Sequence, residues 1–156
     1  MNFSTIELAS AINNKHVLLV IDGSKSVGMD NYSHGLCYGD KLQREYGVDN
    51  VNMTAWLPAS LGVTTPEEAR VYRMNGRVDV ADGFDDLGTY LFERYHKYDT
   101  VIVITDGYIH YENLERLEQT MSENGKILVF IPFILDYAPF HEHKIKVLEK
   151  PLDSLK

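Results

Sequence analysis

Val17-Leu18-Leu19-Val20-Ile21-Asp22-Gly23-Ser24-Lys25-Ser26 is the stretch on which the reading of this chain turns. Its first five residues are an unbroken, mostly β-branched apolar run, the pattern of a strand buried on both faces. The run ends on a carboxylate and two hydroxyls at alternate positions. In an extended loop alternate side chains face one way, so Asp22, Ser24 and Ser26 point at a shared spot. A second apolar run, Val101 to Ile104, leads into Thr105-Asp106-Gly107 and repeats the arrangement. Oxygen groups delivered by two buried strands suit a hard divalent cation, Mg²⁺ or else Mn²⁺ or Ca²⁺, over zinc.

Outward from these two runs, strand-like and helix-like segments alternate. Ser4 to Ala11 reads as a short helix. Tyr32 to Tyr46 spaces Leu36, Tyr38, Leu42 and Tyr46 helically, with Gly47 as its stop. Val51 to Leu57 alternates as a strand with one wetter face, and Pro58 ends it. Ala59 to Glu68 is rich in turn residues. Ala69 to Met74 reads as a further strand, with Asn75-Gly76 turning it into a hairpin with Arg77 to Val80. Leu87 to Tyr95 is a helix with Leu91 and Phe92 inward, and Asp85 and Asp86 are placed to cap it. Tyr111 to Asn124 spaces Leu114, Leu117 and Met121 as a helix ending at Gly125. Lys126 to Leu135 is a third buried strand, interrupted by Pro132. Ile145, Val147 and Leu148 suit a last strand or helix.

This alternation predicts one α/β domain over residues 1–156, with a mostly parallel central sheet and helices on both faces. Ligands gather at the carboxyl ends of such strands, near a switch in strand order. Both acidic loops leave the carboxyl ends of predicted strands, so the architecture puts Asp22 and Asp106 on one edge.

Bulk composition narrows the function classes. The chain has 156 residues, enough for one substantial core without disulfides. Its net charge of −8 disfavours nonspecific binding to nucleic acid or anionic lipid. Basic-aromatic stripes and a Gly-Lys-Ser/Thr phosphate loop are absent from the sequence. Its one cysteine, Cys37, forms no internal disulfide and is expected in the core side of a helix. Met1 to His16 lacks a basic segment followed by a long apolar run, and no apolar stretch is long enough to span a bilayer. The expectation is a cytoplasmic protein with no membrane segment.

The order of these groups resembles the von Willebrand factor A (VWA) domain and its metal-ion-dependent adhesion site. That family carries Asp-x-Ser-x-Ser after its first strand, a Thr from a middle loop, and an Asp after a later strand, often as Thr-Asp-Gly. Asp22, Ser24 and Ser26 match the first part, and Thr105-Asp106-Gly107 matches the last. Thr89, in Gly88-Thr89, is the best match for the middle Thr, with Thr64 and Thr65 as substitutes. The resemblance covers nearly the whole chain and implies a Rossmann-like VWA fold. It implies metal ligation by Ser24, Ser26 and Thr89, directly or through water, with Asp22 and Asp106 mostly holding coordinated waters. It also implies a partner protein whose Glu or Asp fills an open position on the ion. Small intracellular members often work beside AAA+ ATPases or in assemblies.

A binding module, and not an enzyme, is therefore the expectation. The alternative is a hydrolase with Ser24 as nucleophile, helped by Asp106 and by His110 or His141. It is disfavoured because no Asp-x-x-His lies near the C-terminus. His141 and His143 read as an exposed polar stretch, Lys25 as solvent-facing, Trp56 as a core anchor, and Tyr108 and Tyr111 as a rim or half-buried pair.

Overall fold

Among the described residues the two apolar runs lie side by side in the middle of a seven-stranded sheet. The computed structural model describes residues 2–57, 62–75, 86–107, 111–133 and 145–155. Val17–Asp22 (β2) pairs in parallel with Val51–Leu57 (β3) on one side and Thr100–Thr105 (β5) on the other. Ile127–Pro132 (β6), Lys146–Leu148 (β7) and Asn2–Phe3 (β1) continue the sheet beyond β5, all parallel. Gly62–Thr64 (β4) adds one antiparallel strand outside β3. The order is β1-β7-β6-β5-β2-β3-β4.

β2 and β5 are buried along their whole length, as apolar central strands of a sheet covered on both faces should be. Their side chains alternate between two cores. Leu19, Ile21, Ile102 and Ile104 face one way, towards Thr5–Ile12 (α1), Met29–Tyr46 (α2) and Pro66–Met74 (α3). Leu18, Val20, Val101 and Val103 face the other way, towards Asp86–Arg94 (α4) and Glu112–Glu123 (α5). α1 is held at its start by a reciprocal cap between Ser4 and Glu7. α5 buries Leu114, Leu117 and Met121, one stripe at helical spacing. Trp56 joins the second core at 3% exposure, as a sheet-face anchor.

α2 lies close on the sheet because its inward stripe, Tyr32, Gly35, Gly39 and Leu42, carries two glycines. A Cβ at Gly35 would stand 2.8 Å from Ile21 Cγ2, a short branched arm with no room to swing. Gly35→Ala is expected to cost about 1 kcal/mol net, because overpacking outweighs the gain in helix propensity. A fall in the urea midpoint at unchanged slope would check this; a rise would refute the close-packing account. The same stripe corrects the expectation for Cys37. It lies off the sheet-facing positions and is exposed.

A second correction concerns Ala69 to Met74, which belongs to α3 and not to a strand. Thr65 accepts from Glu68 N at 3.2 Å, Pro66 takes the first helical turn, and Glu67 pairs with Arg70 at 2.6 Å. Capping and an i,i+3 ion pair thus override the strand preference of Val71 and Tyr72. Of the turn-rich stretch before it, residues 62–64 form β4. Gly76 and the hairpin arm Arg77 to Val80 lie outside the described residues. Pro132 ends β6 and does not interrupt it, and Lys146 to Leu148 is a strand.

From β2 the chain passes to β3 on one side, then returns to β5 on the other. This reversal opens a crevice at the carboxyl ends of β2 and β5.

Candidate functional site

Asp22 is the last residue of β2 and is fully buried; Asp106 directly follows β5 and is 2% exposed. Register explains why they meet. Ile21 pairs with Ile104, so Asp22 comes level with Thr105 at the strand ends. Thr105 Oγ1 donates to Asp22 Oδ2 at 2.7 Å, and Ser24 N donates to Asp22 Oδ1 at 2.9 Å. Ser26 Oγ donates to Asp106 Oδ2 at 2.5 Å, and lies 3.3 Å from Ser24 Oγ. One hydrogen-bonded network thus joins Asp22, Ser24, Ser26 and Asp106. Ser24 is buried within it, while Ser26 is exposed at its mouth.

Two further supports hold the second loop. Gly107 adopts φ +88°, a left-handed conformation suited to glycine, and its N–H donates to Thr105 Oγ1 at 3.1 Å. Tyr111 OH donates to Gly107 O at 2.7 Å. Burial, with the nearby charges of Asp106 and Asp22, raises the Tyr111 phenol above its ordinary range, so it remains a donor. Thr105 was visible in the sequence as part of Thr-Asp-Gly, but its bond to Asp22 was not. It follows from the pairing of β2 with β5.

The electrostatics are those of two acids crowded together. Burial first, and then the Asp106 charge, push the Asp22 carboxyl up to about 6 against the lowering effect of its hydrogen bonds. Among the described residues Asp22 makes no ion pair. No group of three or more His, Cys, Asp or Glu side chains converges among the described residues. The donor set at the strand ends is instead two carboxylates and the serine hydroxyls, all oxygen. Such a set fits a hard dication and does not suit zinc or copper. A positive charge there would relieve the repulsion that lifts the Asp22 carboxyl.

Thr89 lies in the first turn of α4 with its side chain exposed. Its two substitutes are occupied by α3. Thr64 Oγ1 donates to Glu68 Oε2 at 2.6 Å, and Thr65 caps the helix. Lys25 is exposed, as expected. The alternative reading needs His110 or His141 near Ser24; both histidines lie outside the described residues, as do Tyr108, His143 and Asp85.

Nothing in the sequence marks Arg73, whose segment reads there as a strand. From α3 its Nη1 donates to the carbonyls of Gly23 and of Ser24, the latter at 2.9 Å. The guanidinium lies over the Tyr32 ring, 5.2 Å from its centroid.

No family model matches the chain, and no curated protein matches it in sequence. Among solved structures it is similar to an aerotolerance-related membrane protein from Bacteroides fragilis NCTC 9343, crystallised with multiple mutations to serines. The two superpose with a TM-score of 0.52 at 15% identity, over 75% of this chain and 66% of that one. The match thus spans just under two thirds of that chain, and at this identity the likeness concerns the fold alone. The fold is α/β and Rossmann-like, of the VWA type, with helices on both faces of a mostly parallel sheet. Among the described residues no helix is long and apolar enough to cross a membrane.

Proposed function

We propose that this protein is a binding module that recognises an acidic residue of a partner protein through a divalent cation, Mg²⁺ before Mn²⁺ or Ca²⁺. The observation that carries the reading is the pair of buried carboxylates, Asp22 and Asp106, joined through Ser24 and Ser26 at the switch in strand order. The residues assigned to the site are Asp22, Ser24, Ser26 and Asp106, with Thr89 as a fifth contributor from α4.

Each residue has a separate task. Thr105 and the Ser24 N–H hold the Asp22 carboxylate from two sides, which fixes its orientation. Ser24 and Ser26 present neutral hydroxyls, so the site draws in little negative charge beyond its two acids. A bound dication would supply an electrophilic position that a partner's Glu or Asp can fill. Ser26 and Lys25, both exposed, stand where that partner would approach. A charge-assisted contact of this kind is worth on the order of a few kcal/mol.

The test is a thermal melt with and without Mg²⁺. Ligand at about a hundred times its dissociation constant stabilises by roughly 2.7 kcal/mol, a rise of about 5–10 °C for a chain of this size. Ser24→Ala should stay folded and lose both the rise and Mg²⁺-dependent partner capture. If Mg²⁺ left the melting temperature unmoved and EDTA left capture unchanged, the reading would fail.

A further inference from the structure

We infer that Arg73 is a positioning residue for the cation site and sets its preference for Mg²⁺ over Ca²⁺. This rests on the cation reading above but concerns a residue that ligates nothing. Arg73 stands in the last turn of α3, while Asp22, Ser24 and Ser26 belong to β2 and the loop after it. Its Nη1 grips two successive carbonyls of that loop, those of Gly23 and Ser24. Nε donates to Met29 Sδ at 3.2 Å, at the start of α2. The planar face covers Tyr32, whose hydroxyl donates to Pro66 O at 3.1 Å, at the other end of α3. α3 is therefore fastened at one end to the loop that carries the two serines and at the other to α2.

The carbonyls held by Arg73 fix the peptide planes on either side of Ser24, and with them the directions of the Ser24 and Ser26 side chains. Asp22 keeps one anchor outside that grip, the Thr105 hydroxyl; its other anchor, the Ser24 N–H, shares the Gly23–Ser24 peptide that Arg73 holds. Loosening the grip would free the two hydroxyls most, while Thr105 still holds the carboxylate from its far side. Mg²⁺ demands near-ideal octahedral geometry, whereas Ca²⁺ accepts irregular shells with longer bonds. A slack loop therefore penalises Mg²⁺ more. The Arg73 charge also feels Asp22. Removing that charge favours both dications alike, because both carry the same charge. The Mg²⁺/Ca²⁺ affinity ratio thus separates positioning from electrostatics and from a merely structural role.

Isothermal titration of the purified protein with MgCl₂ and with CaCl₂ tests this on wild type, Arg73→Lys and Arg73→Gln. Thermal melts confirm that each variant is folded at the titration temperature. Lys keeps the charge but offers neither the fork nor the flat face. Both variants are expected to lower the Mg²⁺/Ca²⁺ ratio by about tenfold, the scale on which residues that support metal ligands act. If Gln fails to fold, Lys alone decides the ratio. Variants that bind both ions with the wild-type ratio overturn the role of Arg73 and leave the cation reading standing. A wild type that binds neither ion overturns both.

Discussion

Asp22→Asn is expected to stabilise the cation-free protein by about 2 kcal/mol at neutral pH and to abolish its response to Mg²⁺. The two effects have one cause. In the fold the Asp22 carboxyl titrates at about 6, against an ordinary value of 3.8, because burial and the Asp106 charge oppose its ionisation. Folding therefore favours the protonated form. As pH rises from about 3.8 to about 6, the unfolded chain releases its proton before the folded one, and stability falls. Above about 6 the penalty is complete and level. Asn accepts from Ser24 N as the carboxylate does but cannot also accept from Thr105, which takes back about 1 kcal/mol of the gain; it carries no charge and removes that descent. Below about pH 3.8 the two proteins should have equal stability from this source. A bound dication reverses the slope in the wild type, since it favours the ionised acid. Urea denaturation across pH 3.5 to 8, with EDTA and then with Mg²⁺, reads all of this. An Asn variant less stable than wild type at pH 7 in EDTA would mean that the carboxylate is already compensated within the fold. The site would then lack the excess negative charge on which cation binding depends.

The parts of this molecule legible in the sequence are those that short-range pattern encodes. Two all-apolar runs ending in acidic loops identify central parallel strands, and central parallel strands put those loops together at the switch point. α2 and α5 declare themselves by periodicity and by Gly47 and Gly125 at their ends. α3 does not, because it buries only Ala69 and so shows no apolar stripe. Its identity is written in Thr65, Pro66 and Glu68, which are end signals and not periodic ones. Arg73 therefore sits on an element that apolar spacing does not reveal, and no local pattern marks it. Its bond to the Gly23 carbonyl joins residues 50 apart in sequence. The bond of Thr105 to Asp22 is hidden in another way. Both residues were in view, but their contact depends on register, which is fixed only when β2 and β5 pair. Cys37 shows the limit of periodicity itself: the sheet-facing stripe of α2 includes glycines, and a reading built on apolar spacing passes over them.

Phe130→Ala should cost about 4 kcal/mol, a fall of roughly 8–16 °C in melting temperature, and should also weaken the cation site. Phe130 is a fully buried residue of β6, in the core beneath α4 and α5. Truncation there removes the packing of a whole ring and leaves a cavity that the surrounding sheet cannot close. Against a total stability of about 5–15 kcal/mol, that is a large fraction. A contact with Tyr111 carries the effect to the site. The Phe130 ring packs against Tyr111, with centroids 6.0 Å apart at 57°, and the Tyr111 hydroxyl holds the carbonyl of Gly107 beside Asp106. With the ring gone, Tyr111 can settle into the cavity and release the loop. Tyr111→Phe separates the two consequences, since it keeps the ring and removes the hydroxyl that bonds Gly107. It should cost about 1 kcal/mol in stability yet reproduce most of the loss in Mg²⁺ affinity. If Phe130→Ala lost its stability while titrating Mg²⁺ like the wild type at a temperature where both are folded, this core would support the sheet alone. The Asp106 loop would then owe its position to Thr105 and the strand end, and not to the ring packed against Tyr111.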